Sequence, residues 1–229
     1  MYEYRKLTPK QRAEIVEKRL AKGYPPHSPP HPIRDQFFYL LTAACYEHNL
    51  YLKAEERRQQ LLNLLFEQFS SRAIELRGWA ILPNHYHLLV YLGDARSEDF
   101  SPHHQKPRYG ADSSLHYEQE QGYQRVGKVL RQVHGATSRQ WNLADQAVGR
   151  KVWYHYSDRA IRSERHYYTT LNYLHYNSVK HSWSESPYDW MCSSVDWYLK
   201  QRGPNWLRDT WMKYPVRDYG EEWDDFLRV

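Results

Sequence analysis

Two short segments carry side chains able to do chemistry. In the stretch PNHYHLLV, residues 83–90, His85 and His87 are separated by one residue. On a β-strand such a pair projects from one face, roughly 6.5–7 Å apart along the chain, with Tyr86 turned the opposite way into packing. Two imidazoles so placed can converge on one divalent ion. Two partly exposed histidines on a sheet face would leave the same pattern. The second segment, TLNYLHYNSVK at 170–180, has helical rhythm. Tyr167, Leu171 and Leu174 form an apolar stripe, and Thr170, Tyr173, Asn177 and Lys180 line the neighbouring one. A hydroxyl nucleophile, an oxygen ligand one turn later and a cation make an array suited to phosphoryl transfer. The plainer alternative is a half-buried core tyrosine.

Charge points toward a polyanionic partner. The chain has 32 basic and 27 acidic residues, a net +5. Residues 121–182 alone hold ten basic against three acidic residues, a local +7. Arg125, Lys128, Arg131 and Arg139 fall on a helical stretch, Arg159 and Arg162 just before the tyrosine helix, and Lys180 near its end. Trp153, Tyr154, Tyr156, Tyr167, Tyr168, Tyr173 and Tyr176 are interleaved with them. Cations that neutralise phosphates and rings that stack on bases suit a single nucleic-acid strand. A solvated basic surface over an aromatic core is the competing reading.

The elements that must position these groups follow from pattern. Thr8-Pro9-Lys10-Gln11 reads as a capping box opening a helix that runs to about Lys22. Five prolines in 25–32 predict an extended strap. Phe37 to Tyr46 reads as a buried strand. Ala54 to Arg77 has helical rhythm through Leu61, Leu62, Leu65, Phe69 and Leu76, with Gly78 after it. Trp79–Leu82 and His85–Leu92 read as strands joined at Pro83-Asn84. Residues 93–120 are polar and read as a long loop, 124–143 as helix, Val152–Tyr156 as a strand and Ser163 to about Lys180 as helix. The order strand, helix, hairpin, helix, strand, helix predicts an α+β sandwich, ferredoxin-like in outline, with helices on one face of an antiparallel sheet. The expected division is 1–34 for the N-terminal helix and Pro-rich linker, 35–198 for the catalytic domain and 199–229 for a C-terminal tail.

Mean hydropathy of −0.93 and no apolar run near 18 residues argue against a membrane span. The first residues lack the apolar centre of a signal peptide. Cys45 and Cys192 are too few and too far apart for a disulfide framework or a metal cluster. A reduced, cytoplasmic chain is the expectation.

Taken together, four segments resemble one family. WAILPNHYHLLV at 79–90 looks like the HUH motif of single-tyrosine transposases. Val152-Trp153 with SDRAIRSE at 157–164 is similar to the stretch before their tyrosine helix. YLHYNSVKH at 173–181 resembles the Tyr-Ile-x-x-Asn-Pro-Val-Lys signature of REP-associated tyrosine transposases, and Tyr188-Asp189-Trp190 with Ser193-Ser194 is similar to the pattern that follows it. The resemblance covers roughly 35–198 in the same order. Ser178 replaces the usual proline, the 93–120 loop is longer than usual, and the tail after Tyr198 has no counterpart.

This resemblance implies a ferredoxin-like HUH domain acting on single-stranded DNA, with a hairpin or REP-like repeat as partner. Tyr173 would be the nucleophile, leaving a 5′-phosphotyrosine and a free 3′-hydroxyl. His85, His87 and Asn177 would hold Mg²⁺ or Mn²⁺, with His181 a weaker candidate ligand. The chain would be a transposase, an endonuclease and strand transferase in DNA recombination, working as a monomer or homodimer without a membrane. The alternative is a domesticated relative that binds hairpin DNA without cutting it.

Overall fold

The computed structural model describes residues 8–17 in part, 37–92 and 113–220, with backbone alone for 113–123. The Pro-rich stretch 25–32, most of the 93–120 loop and residues 221–229 lie outside the described residues. The chain divides into a unit at Met1–Arg34 and a second at Asp35–Val229. In the first unit the capping box forms. The Thr8 hydroxyl accepts from the Gln11 N–H, and the Gln11 carboxamide oxygen accepts from the Thr8 N–H at 2.9 Å.

The second unit runs β1 (Phe38–Ala44), α1 (Glu55–Ser70), β2 (Glu75–Ile81), β3 (His85–Tyr91), α2 (Ser113–Ala144), β4 (Ser157–Ala160), α3 (Glu164–Lys180) and α4 (Val195–Lys213). The sheet order β2-β3-β1-β4, antiparallel throughout, is the ferredoxin-like order. No described helix is long and apolar enough to cross a membrane.

Helices cover both faces of the sheet, not the one face expected. Tyr39, Leu41 and Ala43 of β1, with Tyr86, Leu88 and Val90 of β3, pack under α1 and α2. Phe38, Leu40 and Leu89 pack under α3 and α4. FYLLTAA and the LLV of β3 are apolar on both faces, so each needs two covers. Each Leu so buried contributes about 1.5–3 kcal/mol. The histidines share the parity of Leu89, which places them on the α3 side.

Several boundaries differ from expectation. The first helix ends at Ser70, because the chain turns through Ala73 at φ 51° and enters β2, whose Leu76 pairs with Val90. Strand pairing thus overrides the helical rhythm of Leu76. Gly78 is therefore inside a strand, not after a helix. A Cβ there would lie 2.9 Å from Leu171 of α3, so the missing side chain is what lets α3 settle on the sheet. Residues 113–120 are helical, part of α2. Trp153 makes only an isolated bridge with Cys45, and the fourth strand starts at Ser157. The Trp153 ring is committed to the core, stacked on His134 at 4.5 Å.

Residues 199–220 are not an appendage. Helix α4 continues through position 198, breaks at Gly203 (φ 82°) and restarts at Pro204. Leu207 of the restarted segment is fully buried, and Tyr219 packs against the same core.

Candidate active site

Helix α3 is placed by its ends. Ser163 caps it, accepting from the His166 N–H at 3.1 Å, with Glu164 in the first turn and Lys180 in the last, where each charge opposes the helix dipole. Tyr167, Leu171 and Leu174 are buried against the sheet as their spacing predicts. This seats Tyr173 over β3, its hydroxyl 3.3 Å from His87 Nε2 and its ring 5.2 Å from the imidazole. The His85 and His87 rings lie 5.0 Å apart. Tyr86 points the other way and bonds His134 Nε2 at 2.8 Å.

Each histidine is oriented by a second residue. His85 Nδ1 donates to Asn84 Oδ1 at 2.7 Å, which puts the lone pair on Nε2. His87 Nδ1 is 2.7 Å from the Thr42 hydroxyl, which sits directly across the β1–β3 ladder. Such contacts are the usual means of aiming ligating imidazoles. Sequence reading missed Thr42, although it is the one non-aromatic polar residue of β1 and falls on the histidine face.

Asn177 is fully buried, and neither its Oδ1 nor its Nδ2 finds a hydrogen-bond partner among the described residues. A buried carboxamide left so is costly unless something else satisfies it. With two aimed imidazoles, this donor set fits a small divalent cation that prefers nitrogen and oxygen. Among the described residues no group of three or more His, Cys, Asp or Glu forms a metal cage. His181 is nearer than its two-turn separation suggests, its ring 5.0 Å from that of His85. His175 faces elsewhere, accepting from Trp211 Nε1 and bonded to Ser194 Oγ at 3.1 Å. Burial holds its pKa down at about 3.

Tyr173 is only 1% exposed. The Tyr219 ring lies 5.6 Å from its own, and Gly220 follows at φ 81°, so close that a Cβ would sit 2.3 Å from Tyr173 Cε2. Tyr219 is pinned through its hydroxyl to Thr170 Oγ1 at 2.6 Å. Lys180 Nζ donates to the Gly220 carbonyl at 2.6 Å and lies 5.2 Å from the Tyr173 ring. The 214–220 segment had no sequence signal beyond its aromatic content.

The basic residues separate into two groups. Lys128, Arg131 and Arg139 are exposed on α2, whose apolar side packs on the sheet face opposite Tyr173. Arg125 is folded inward, donating to the Arg72 carbonyl at 2.9 Å. Arg159 is in register with Leu40 on the α3 side, and Arg162 is exposed at the start of α3.

No protein-family model and no curated protein matches the chain. Two solved structures are similar. A candidate transposase from Deinococcus radiodurans R1 is 15% identical over 65% of this chain and 95% of that one, with a TM-score of 0.36. A REP-associated tyrosine transposase bound to a REP hairpin is 20% identical over 77% of this chain and 87% of that one, with a TM-score of 0.50. The chain has the fold of that REP-associated tyrosine transposase.

Proposed function

We propose that the chain is a metal-dependent transposase that cuts and rejoins single-stranded DNA at a hairpin-bearing repeat. The observation that carries this reading is the Tyr173 hydroxyl held 3.3 Å from His87 with His85 beside it. The fold shared with a hairpin-bound relative supports the same reading.

The Tyr173 oxygen would attack a backbone phosphorus. The new tyrosine–phosphorus bond forms as the bond to the 3′-oxygen breaks, leaving a 5′-phosphotyrosine and a 3′-hydroxyl that gains a proton. One phosphoester replaces another, so a second 3′-hydroxyl can reverse the step and rejoin DNA. A phenol with an ordinary pKa near 10 has to lose its proton. With Nδ1 facing Thr42, His87 turns Nε2 toward the hydroxyl, and that single nitrogen would hold either the phenol proton in the metal-free chain or the ion, not both. His85, His87 and Asn177 would hold Mg²⁺ or Mn²⁺, which when bound supplies Lewis-acid polarisation of a phosphoryl oxygen. Tyr219 and Gly220 must move before a phosphate can reach the tyrosine.

That cover also favours a second reading, a hairpin-binding protein whose chemistry is idle. Incubation with a hairpin library in single-stranded and duplex form, with Mn²⁺, separates the two. Cleavage confined to single strands and lost in Tyr173→Phe supports the enzyme. Binding without any cleavage, with or without residues 214–229, supports the binder.

A further inference from the structure

A cavity of about 570 Å³ opens at the outer edge of β2, away from the histidines. Half of its lining residues are aromatic, with Phe66 from α1, Tyr167 and Tyr168 from α3, and Trp197 and Trp206 from α4 among them. Its size is that of a small-ligand site. Two rings in it stay in contact with solvent, Trp197 at 46% and Phe66 at 38%. Large apolar rings left exposed in a concave site mark binding more often than stability.

The polar groups of the wall indicate what it would bind. The Tyr198 hydroxyl donates to the Arg77 carbonyl at 2.6 Å, so the bare edge of β2 is already satisfied there and offers little to an added peptide strand. The Arg77 guanidinium is paired with Glu75. The exposed Arg202 lies at the cavity where Gly203 breaks α4, and Trp206 follows in the next helical segment. Aromatic faces with an adjacent guanidinium are the chemistry of a stacked nucleobase beside its phosphate. Position agrees with this. Tyr167 and Tyr168 are six and five residues before Tyr173 on α3, so the cavity wall begins about 7–9 Å along the helix axis from the nucleophile.

We infer that this cavity holds an unpaired nucleobase of the strand being processed, a few nucleotides from the scissile phosphate. Trp197 and Phe66 would supply the stacking faces and Arg202 the neighbouring cation. This rests on the single-stranded DNA reading above. It adds a base-holding subsite that is separate from the histidines and Tyr173.

The test uses the full chain without metal and a fluorescein-labelled DNA hairpin bearing a single-stranded flank, followed by anisotropy. A matched hairpin has the same flank made abasic. The wild type is expected to prefer the flank with bases. Trp197→Ala should lose roughly 5- to 100-fold in affinity for that flank and nothing for the abasic one, given the usual worth of one stacked base. Phe66→Leu, at the other part-exposed ring, should reduce the same preference and guards against a folding defect in the tryptophan variant, whereas Arg202→Gln should weaken both flanks alike, because the abasic strand keeps its phosphates. If the wild type prefers bases but both ring variants keep the full preference, the cavity is not the base site and the DNA reading stands. If the wild type binds neither flank nor hairpin, the DNA reading falls and this inference with it.

Discussion

Gly220→Ala should uncover Tyr173. At φ 81° an alanine sits in the left-handed region, which costs a side-chain-bearing residue roughly 1–2 kcal/mol. Its Cβ would also lie 2.3 Å from Cε2 and 2.9 Å from Cδ2 and Cζ of Tyr173, far inside the usual carbon contact distance of about 3.5–4.0 Å. The tyrosine ring cannot retreat, because His87 lies against it on the sheet side. Overpacking of this kind costs about 1–3 kcal/mol. Together these disfavour the covered arrangement by about 2–5 kcal/mol, so even the lower value raises the uncovered population about 30-fold. Nitration by tetranitromethane followed by peptide mapping reads this directly, with the part-exposed Tyr176 as internal reference. The variant should nitrate Tyr173 many-fold faster relative to Tyr176. An unchanged ratio in a folded variant would refute the claim that Gly220 closes over the nucleophile.

Three further outcomes follow from the geometry. Asn177→Ala should lower Mn²⁺ affinity, measured by calorimetry, while metal-free DNA binding is spared; a loss in His181→Ala alone would transfer the ligand role to His181. Arg159→Gln with Arg162→Gln should reduce the salt slope of single-strand binding by about 0.7 for each phosphate that is no longer neutralised. Lys128→Gln, Arg131→Gln and Arg139→Gln together should leave the slope unchanged, since they lie across the sheet from Tyr173, and the reverse result would move the DNA path to α2. His134 is buried beside Tyr86 and Trp153, and burial, reinforced by the charge of His155, lowers its pKa from 6.5 to about 3. The unfolded chain therefore binds a proton that the folded chain refuses between those values. This group's stabilisation is complete above pH 6.5 and is lost on acidification at about 1.4 kcal/mol per pH unit. Denaturant midpoints from pH 7 to pH 4 should fall less steeply in His134→Gln; parallel curves would contradict that assignment.

Much of the site was legible because it depends on local periodicity. The alternation of His85, Tyr86 and His87 sends Tyr86 into the core and both imidazoles toward α3, as a strand must. The 3.6-residue repeat likewise buries Tyr167, Leu171 and Leu174, and with Ser163 as cap it brings Tyr173 over β3. What escaped depends on contacts between distant segments. Thr42 faces His87 only through the β1–β3 register, 45 positions away. Leu76 continued a helical rhythm, yet pairing with Val90 drew it into β2. The second helical layer was available in principle, because β1 is apolar on both faces. The closure of Gly220 over Tyr173 is a packing event with no periodic signature. Clustering of basic residues in sequence suggested one DNA surface, whereas the sheet divides them between its two faces.

The most direct measurement is to map the covalent bond. The protein is incubated with a cleavable single-stranded hairpin and Mn²⁺, digested with nuclease and protease, and searched by mass spectrometry for a peptide carrying a nucleotide phosphate. The mass should fall on the peptide containing Tyr173, with fragment ions assigning it to that residue, and should vanish in Tyr173→Phe. Modification of Tyr176 or Tyr168 instead, or cleavage with no peptide-linked nucleotide, would contradict Tyr173 as the nucleophile.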